Sequence, residues 1–281
     1  MHLISASTPG PAAHSATRSL RPAWLIPPLG LAMFVGMLAS VLAPFAAWAD
    51  STAPATPTGP GATSAIPVAV VELYTSQGCS SCPPADTLLG ALAATPGYVP
   101  LTLAVDYWDY LGWKDTLAKH GHSVRQKAYA RMRGDGKMFT PQVVINGQMM
   151  TVGNDKPALD AALAKAPPLT VPVSVMQSDN DRLAITIGNG LGAGEVWLCP
   201  VSRSETVKIG RGENEGTTVD YHNVVRGWFK LGDWTGGKAR FTARLDELRG
   251  EDVDAVAVLV QSGTAVAPGP ILGAALMPIS R

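Results

Sequence analysis

Gly78-Cys79-Ser80-Ser81-Cys82-Pro83 is the stretch from which the rest of this 281-residue chain is read. Two cysteines separated by two residues follow an apolar run of β type, Pro67 to Tyr74, and precede a run with helical spacing, Ala85 to Ala94. A strand that delivers a Cys-x-x-Cys to the start of a helix reads as a redox site. The first thiol lies where the helix dipole and unpaired amides favour negative charge, so its thiolate is stabilised and reactive. The second, about one helical turn on, is within reach to close a small disulfide ring.

Working outward, Val68, Ala69, Val70, Val71 and Leu73 make a near-continuous apolar run, the mark of a strand buried on both faces, with Glu72 the exception inside it. Pro83 and Pro84 suit the first helical positions, and Leu88, Leu89 and Leu92 carry the helical spacing up to Thr95-Pro96-Gly97. Tyr98 to Val105 is a second buried strand, so the unit should be parallel. Asp106 to Asp115, dense in aromatics and charges, leaves that strand where ligand clefts form in open α/β sheets, and so should lie near the cysteines. It reads equally as a packed structural loop, because aromatic rings bury large areas. Asp115 to Arg133 is helical in character, broken at Gly121, with Val124, Ala128 and Met132 forming an apolar face opposite basic residues. Val143-Val144-Ile145, Asn146-Gly147 and Gln148 to Val152 read as a hairpin, followed by a helix from Lys156 to Ala166. The order β-α-β-α-β-β-α predicts a thioredoxin-like α/β domain over 67–167. Past Pro167-Pro168, short alternating strands separated by Gly/Asn/Asp turns predict an all-β, antiparallel sandwich-like domain over 168–281.

Hydrophobic residues make up 46% of the chain, enough for a sizeable core, and 22 basic residues balance 22 acidic ones. No basic patch points to nucleic acid. Residues 1–49 contain Arg18 and Arg21, no acid, an apolar stretch from Ala23 and an Ala47-Trp48-Ala49 ending, which together read as a signal peptide. An uncleaved membrane anchor is the alternative, though Pro27, Pro28 and Pro44 interrupt the run. Residues 50–66, rich in Pro, Thr, Ala and Gly, read as a flexible linker. Export predicts a periplasmic or secreted protein with no stable membrane insertion once the signal is cleaved. In such a compartment Cys79 and Cys82 can be an active pair or a standing disulfide.

Four blocks carry a resemblance. Val71 through Asp86, Val105 through Asp115, Phe139-Thr140-Pro141-Gln142, and Gly212-Glu213-Asn214 through Tyr221-His222-Asn223-Val224-Val225-Arg226 together resemble a secreted, thioredoxin-like bacterial family catalogued as a domain of unknown function, DUF1223. The third block departs only in its aromatic, Phe139 standing where Tyr is usual. The likeness covers roughly residues 67 to 281 and implies a fold and a redox role, with no established substrate.

On this reading Cys79 attacks a partner's disulfide and Cys82 resolves the mixed disulfide. A metal pair is the alternative, but no second Cys-x-x-Cys exists to complete a ligand set. The likeness to thioredoxin-like proteins implies that Pro141 is cis beside the active disulfide and that Thr140 offers backbone hydrogen bonds to a substrate. Glu72 is a candidate proton relay, with Asp106 the next in line, and Trp108 and Asp109 are candidates for lining the cleft. Cys199, in Val196-Trp197-Leu198-Cys199-Pro200, reads as a buried free thiol. The Tyr221-His222-Asn223 block reads as structural hydrogen bonding or an interdomain contact. The expected function is an exported thiol-disulfide oxidoreductase acting on protein or small-molecule thiols, without a cofactor. The alternative is a non-catalytic binding module with a structural disulfide.

Overall fold

The computed structural model describes residues 65–178, 181–248, 250 and 252–280, so the expected signal peptide, and the expected linker except Ala65 and Ile66, lie outside the described residues. The first half folds as strand β1 (Ala69–Thr75), helix α1 (Pro83–Ala93), β2 (Tyr98–Ala104), α2 (His120–Arg133), β3 (Gln142–Ile145), β4 (Met149–Val152) and α3 (Lys156–Lys165). The second half adds β5 (Val173–Ser178), β6 (Arg182–Ile187), β7 (Gly194–Lys208), β8 (Thr218–Val225), β9 (Phe229–Trp234), β10 (Ala239–Arg244), β11 (Ala255–Thr264) and β12 (Ala267–Pro278). β1 and β2 are parallel, and β3 and β4 form the hairpin that Asn146-Gly147 announced, both residues at positive φ.

The expected thioredoxin-like α/β domain followed by a separate antiparallel sandwich does not form. A single mixed sheet of nine strands runs β12-β11-β7-β8-β2-β1-β3-β4, with β9 also paired to β7, and it crosses the Pro167-Pro168 boundary. The joint is β8, which pairs parallel to β2 at Thr102 and Val224, while the Thr102 hydroxyl donates to the His222 carbonyl at 2.7 Å. The outer edge of β2 is therefore an interior position, closed by a strand about 120 residues later in the chain. β5, β6 and β10 form a separate three-stranded sheet.

Burial follows the two-residue period of the strands. Along β11, Val256, Val258 and Val260 join the core under the three-stranded sheet with Leu183, Ile185 and Trp234, whereas Ala255, Ala257 and Leu259 face the opposite core. Along β1, Ala69, Val71 and Leu73 face α1 and α3, meeting Ala85, Leu89 and Leu159, while Val70 and Tyr74 point the other way. That second core draws on both halves of the chain, from Val99 and Leu103 to Val201, Leu259 and Ile271.

The sheet curls enough for its edges to meet. The Ile271 amide donates to the Asn146 carbonyl at 2.9 Å. A Cβ on Gly147 would sit 2.6 Å from the Gly269 carbonyl, and the residue's φ is +68°, so both the contact and the turn require glycine.

Helix α2 turns its faces the opposite way from the sequence expectation. Val124 and Met132 are 45% and 56% exposed, and the buried side is polar: His122, Ser123, Arg125, Gln126 and Tyr129, with Ala128 between them. Glu72 is the reason. It is fully buried on the face of β1 opposite α1, and it draws Arg125 and Tyr129 inward.

Candidate functional site

Cys79 and Cys82 are joined by a disulfide, their Cα atoms 5.4 Å apart, at the end of the turn that leaves β1. The Cys82 amide donates to the Cys79 carbonyl at 3.1 Å, and the Cys82 carbonyl accepts from Ala85 and Asp86 to open α1. Because the first two helical residues are Pro83 and Pro84, which carry no amide hydrogen, the helix offers fewer free amides at this end than an ordinary N-terminus. The Ser81 hydroxyl lies 3.5 Å from Cys79 Sγ and can donate to it. Ser80 and Ser81 are exposed, but the sulfurs are not: Cys79 is 2% exposed and Cys82 0%. Both sulfurs are thus closed to solvent, Cys79 only marginally less than Cys82.

Two loops enclose the pair. The first, residues 105–119, is the aromatic and charged segment, and it does lie at the cysteine turn. A Cβ on Gly78 would come within 3.0 Å of Trp108 Cβ. Buried Gln77 donates its amide to Asp115 Oδ2 at 2.8 Å, and its side-chain oxygen accepts from Trp113 Nε1 at 2.8 Å and from the Thr116 amide. The second loop, residues 209–217, rests on Trp113: a Cβ on Gly210 would fall 2.8 Å from the indole. From it the Asn214 side-chain amide donates to the carbonyls of Gln77 and Cys79, both at 2.9 Å. This strap holds the backbone on both sides of Gly78 against the second half of the chain. Asn214→Ala leaves the buried Gln77 carbonyl unpaired and the Cys79 carbonyl with the Cys82 amide alone, at a cost of about 1–3 kcal/mol. It should lower the urea midpoint and speed reduction of the disulfide by glutathione roughly tenfold, since 1.4 kcal/mol of opening free energy is a factor of about ten. An unchanged reduction rate would show that the strap does not gate the sulfurs.

The remaining expected site residues divide. The Thr140–Pro141 bond is cis. The Gly153 amide donates to the Pro141 carbonyl at 3.0 Å, and a Cβ on Gly153 would touch both Pro141 Cβ and Ala85 Cβ at 3.2 Å. Next to it, the Asn154 side chain donates to the Ser81 carbonyl at 3.1 Å, so Pro141 is tied to the cysteine turn through 153–154. Thr140 and Trp108 are joined to each other, indole Nε1 donating to the Thr140 hydroxyl at 2.8 Å. Asp109 braces its own loop by accepting from the Asp115 amide at 3.1 Å.

The two proposed proton relays are engaged elsewhere. Glu72 lies on the far side of the sheet from α1, bound to Arg125 Nε at 2.6 Å and to the Tyr129 hydroxyl at 2.7 Å, so it does not face Cys82. Asp106 accepts from the Ser123 hydroxyl at 2.5 Å and contacts His120 Nδ1 at 2.8 Å. Partial burial raises its carboxyl, but those two hydrogen bonds outweigh it and hold the group below the usual range. Cys199 is a fully buried free thiol, pushed up by burial, as expected. His222 packs over α1, where a Cβ on Gly90 would meet its ring at 2.6 Å.

Sequence reasoning missed two carboxylates near the cysteine turn. Asp86 is 2% exposed and accepts from the Thr75 hydroxyl at 3.2 Å. Asp115 is 4% exposed and accepts from three backbone amides. Burial raises both, against those hydrogen bonds. An acid on the buried face of a helix is a signal the helical spacing already carried, since Asp86 stands three residues before Leu89.

No curated protein matches the chain. The crystal structure of protein AGR_C_4864 from Agrobacterium tumefaciens is similar, with 33% identity and a TM-score of 0.68 over 77% of this chain and 96% of that one. That share exceeds either half of the chain, as a single architecture across both requires. HBP35 of Porphyromonas gingivalis matches at 14% identity and a TM-score of 0.47, over 75% of this chain and 74% of that one, too distant to carry an argument. Residues 70–261 match the family described as "Protein of unknown function (DUF1223)", and the chain belongs to that family.

Proposed function

We propose that this chain is an exported thiol-disulfide oxidoreductase, periplasmic or secreted, acting on protein or small-molecule thiols and disulfides. The observation that carries the reading is the Cys79–Cys82 disulfide across the turn that opens α1. A thiolate at Cys79 has the helix end behind it and the Ser81 hydroxyl beside it. In the forward step the Cys79 thiolate attacks a substrate disulfide and expels one substrate thiolate. Cys82 then attacks Cys79 Sγ, the second substrate sulfur leaves as thiolate, and the pair is left oxidised while the substrate is reduced. Pro141 and Thr140 border the turn, and Trp108 holds Thr140 in place.

A second reading, a standing structural disulfide in a binding module, is favoured by the burial of both sulfurs. The reduction potential of the pair in the full chain separates the two. A working oxidoreductase should equilibrate with glutathione between about −120 and −270 mV, whereas a structural bridge lies below about −300 mV. A value in the lower range would overturn the enzymatic reading.

A further inference from the structure

Asp86 follows Cys82 by one helical turn on α1, so the two side chains share a face of the helix. Both are buried, Asp86 2% exposed and Cys82 0%. Asp86 Oδ2 accepts from the Thr75 hydroxyl, and Oδ1 is buried with no hydrogen-bond partner. A carboxylate oxygen sealed from water without a donor is costly, and protonation removes that cost. The elements packed against Asp86 bring Thr75 from β1, Asp115 from the loop after β2 and Tyr221 from β8, with His222 lying over Gly90 one turn further along α1.

We propose that Asp86 is the proton carrier for the Cys82 sulfur, an inference that rests on the oxidoreductase reading above. When a thiolate attacks Cys79 Sγ, the Cys79–Cys82 bond breaks and its electron pair goes to Cys82 Sγ. The Asp86 carboxyl gives that sulfur its proton and is left as the carboxylate. In the return step the carboxylate takes the proton from Cys82 S–H. The new thiolate attacks Cys79 Sγ, and the attached thiol leaves as thiolate. Burial, which holds the carboxyl well above its usual range against the Thr75 hydroxyl, keeps it protonated while the pair is oxidised. The unpartnered Oδ1 is the oxygen available for the exchange.

The test is the rate at which reduced glutathione opens the disulfide in the full chain between pH 5 and 9, expressed per glutathione thiolate. The wild-type rate should fall as pH rises through the Asp86 titration. Asp86→Asn should be slower by roughly 10²-fold at the acid end and should lose the inflection. Thr75→Val is nearly isosteric and removes the hydrogen bond that favours the charged carboxylate, so it should move the inflection to higher pH. That shift would support the inference even where Asp86→Asn fails to fold, and an unmoved inflection would overturn it. A wild-type disulfide that glutathione opens, with an identical pH profile in Asp86→Asn, overturns the proton carrier alone. A folded wild-type protein whose disulfide glutathione does not open overturns the redox reading and the carrier with it.

Discussion

Cys82→Ser protein treated with oxidised glutathione should acquire one glutathione on Cys79 and keep it, while the wild-type chain sheds the adduct and returns to its internal disulfide. The difference arises because the resolving thiol attacks from within the same turn, with its Cα 5.4 Å away, and so acts at an effective concentration far above any external thiol. Its removal should lengthen the life of the adduct by roughly 10³-fold or more, at the cautious end of what well-placed intramolecular groups provide. Intact mass, followed by peptide mapping, reads the result. Cys199 should stay unlabelled, being fully buried with its thiol pushed up. The reciprocal Cys79→Ser protein should take up little, because Cys82 is 0% exposed. The adduct needs Cys79 uncovered, so its formation should quicken when the Asn214 strap is removed. Failure to capture glutathione in Cys82→Ser and again in Cys82→Ser with Asn214→Ala would leave the bridge with a structural role only.

What the sequence could reveal of this architecture depended on how local the cause was. The strand–helix–strand unit around the cysteines, the Asn146-Gly147 turn and helix α3 form where short-range patterning placed them, because each rests on turn chemistry or on a period within about ten residues. β8 and β12 are less legible. Thr218–Val225 carries the polar Tyr221-His222-Asn223 block, which masks the alternation of Val219, Tyr221, Asn223 and Val225 that buries one face of the strand. β12 carries Pro268, Pro270, Gly269 and Gly273, residues that argue against a strand and are tolerated here on an edge with bulges. The parallel pairing of β8 with β2 leaves no local trace at all, and it is what replaces two domains by one sheet. At the site, the cysteine pair, the cis-proline and the proximity of the aromatic loop were legible. The closing of the cysteine turn was not, because Asn214, which bonds the Cys79 carbonyl, stands more than 130 residues away in the chain. Glu72 stands out in the sequence as an anomaly but its role does not, since its counter-ion sits on a helix face that composition alone marks as solvent-facing.

That counter-ion carries the largest stability prediction. Arg125 Nε donates to Glu72 Oε1 at 2.6 Å, and its Nη2 donates to the Tyr129 hydroxyl at 2.9 Å and to Gln261 Oε1 at 2.8 Å. The guanidinium also lies 4.2 Å from the centre of the Trp228 ring. One side chain thus ties α2, β1, β11 and the segment before β9 together inside the core that both halves share. Arg125→Met keeps the length of the stem but leaves Glu72 fully buried with its charge uncompensated and Gln261 short of a donor. Breaking a buried pair from one side costs about 3–5 kcal/mol, a large share of the stability of any single domain. The fall should appear as a lower urea midpoint. Glu72→Gln combined with Arg125→Met removes both charges, so most of the loss should return, because the penalty belongs to the orphaned charge rather than to the pair. A single variant within about 1 kcal/mol of wild type would mean that water or a rearranged partner reaches Glu72. A double variant as unstable as the single would locate the cost in the lost hydrogen bonds to Tyr129 and Gln261 instead. The expected pattern, a large single loss with recovery in the double, follows from a charged network buried where the two halves of the chain meet in one sheet.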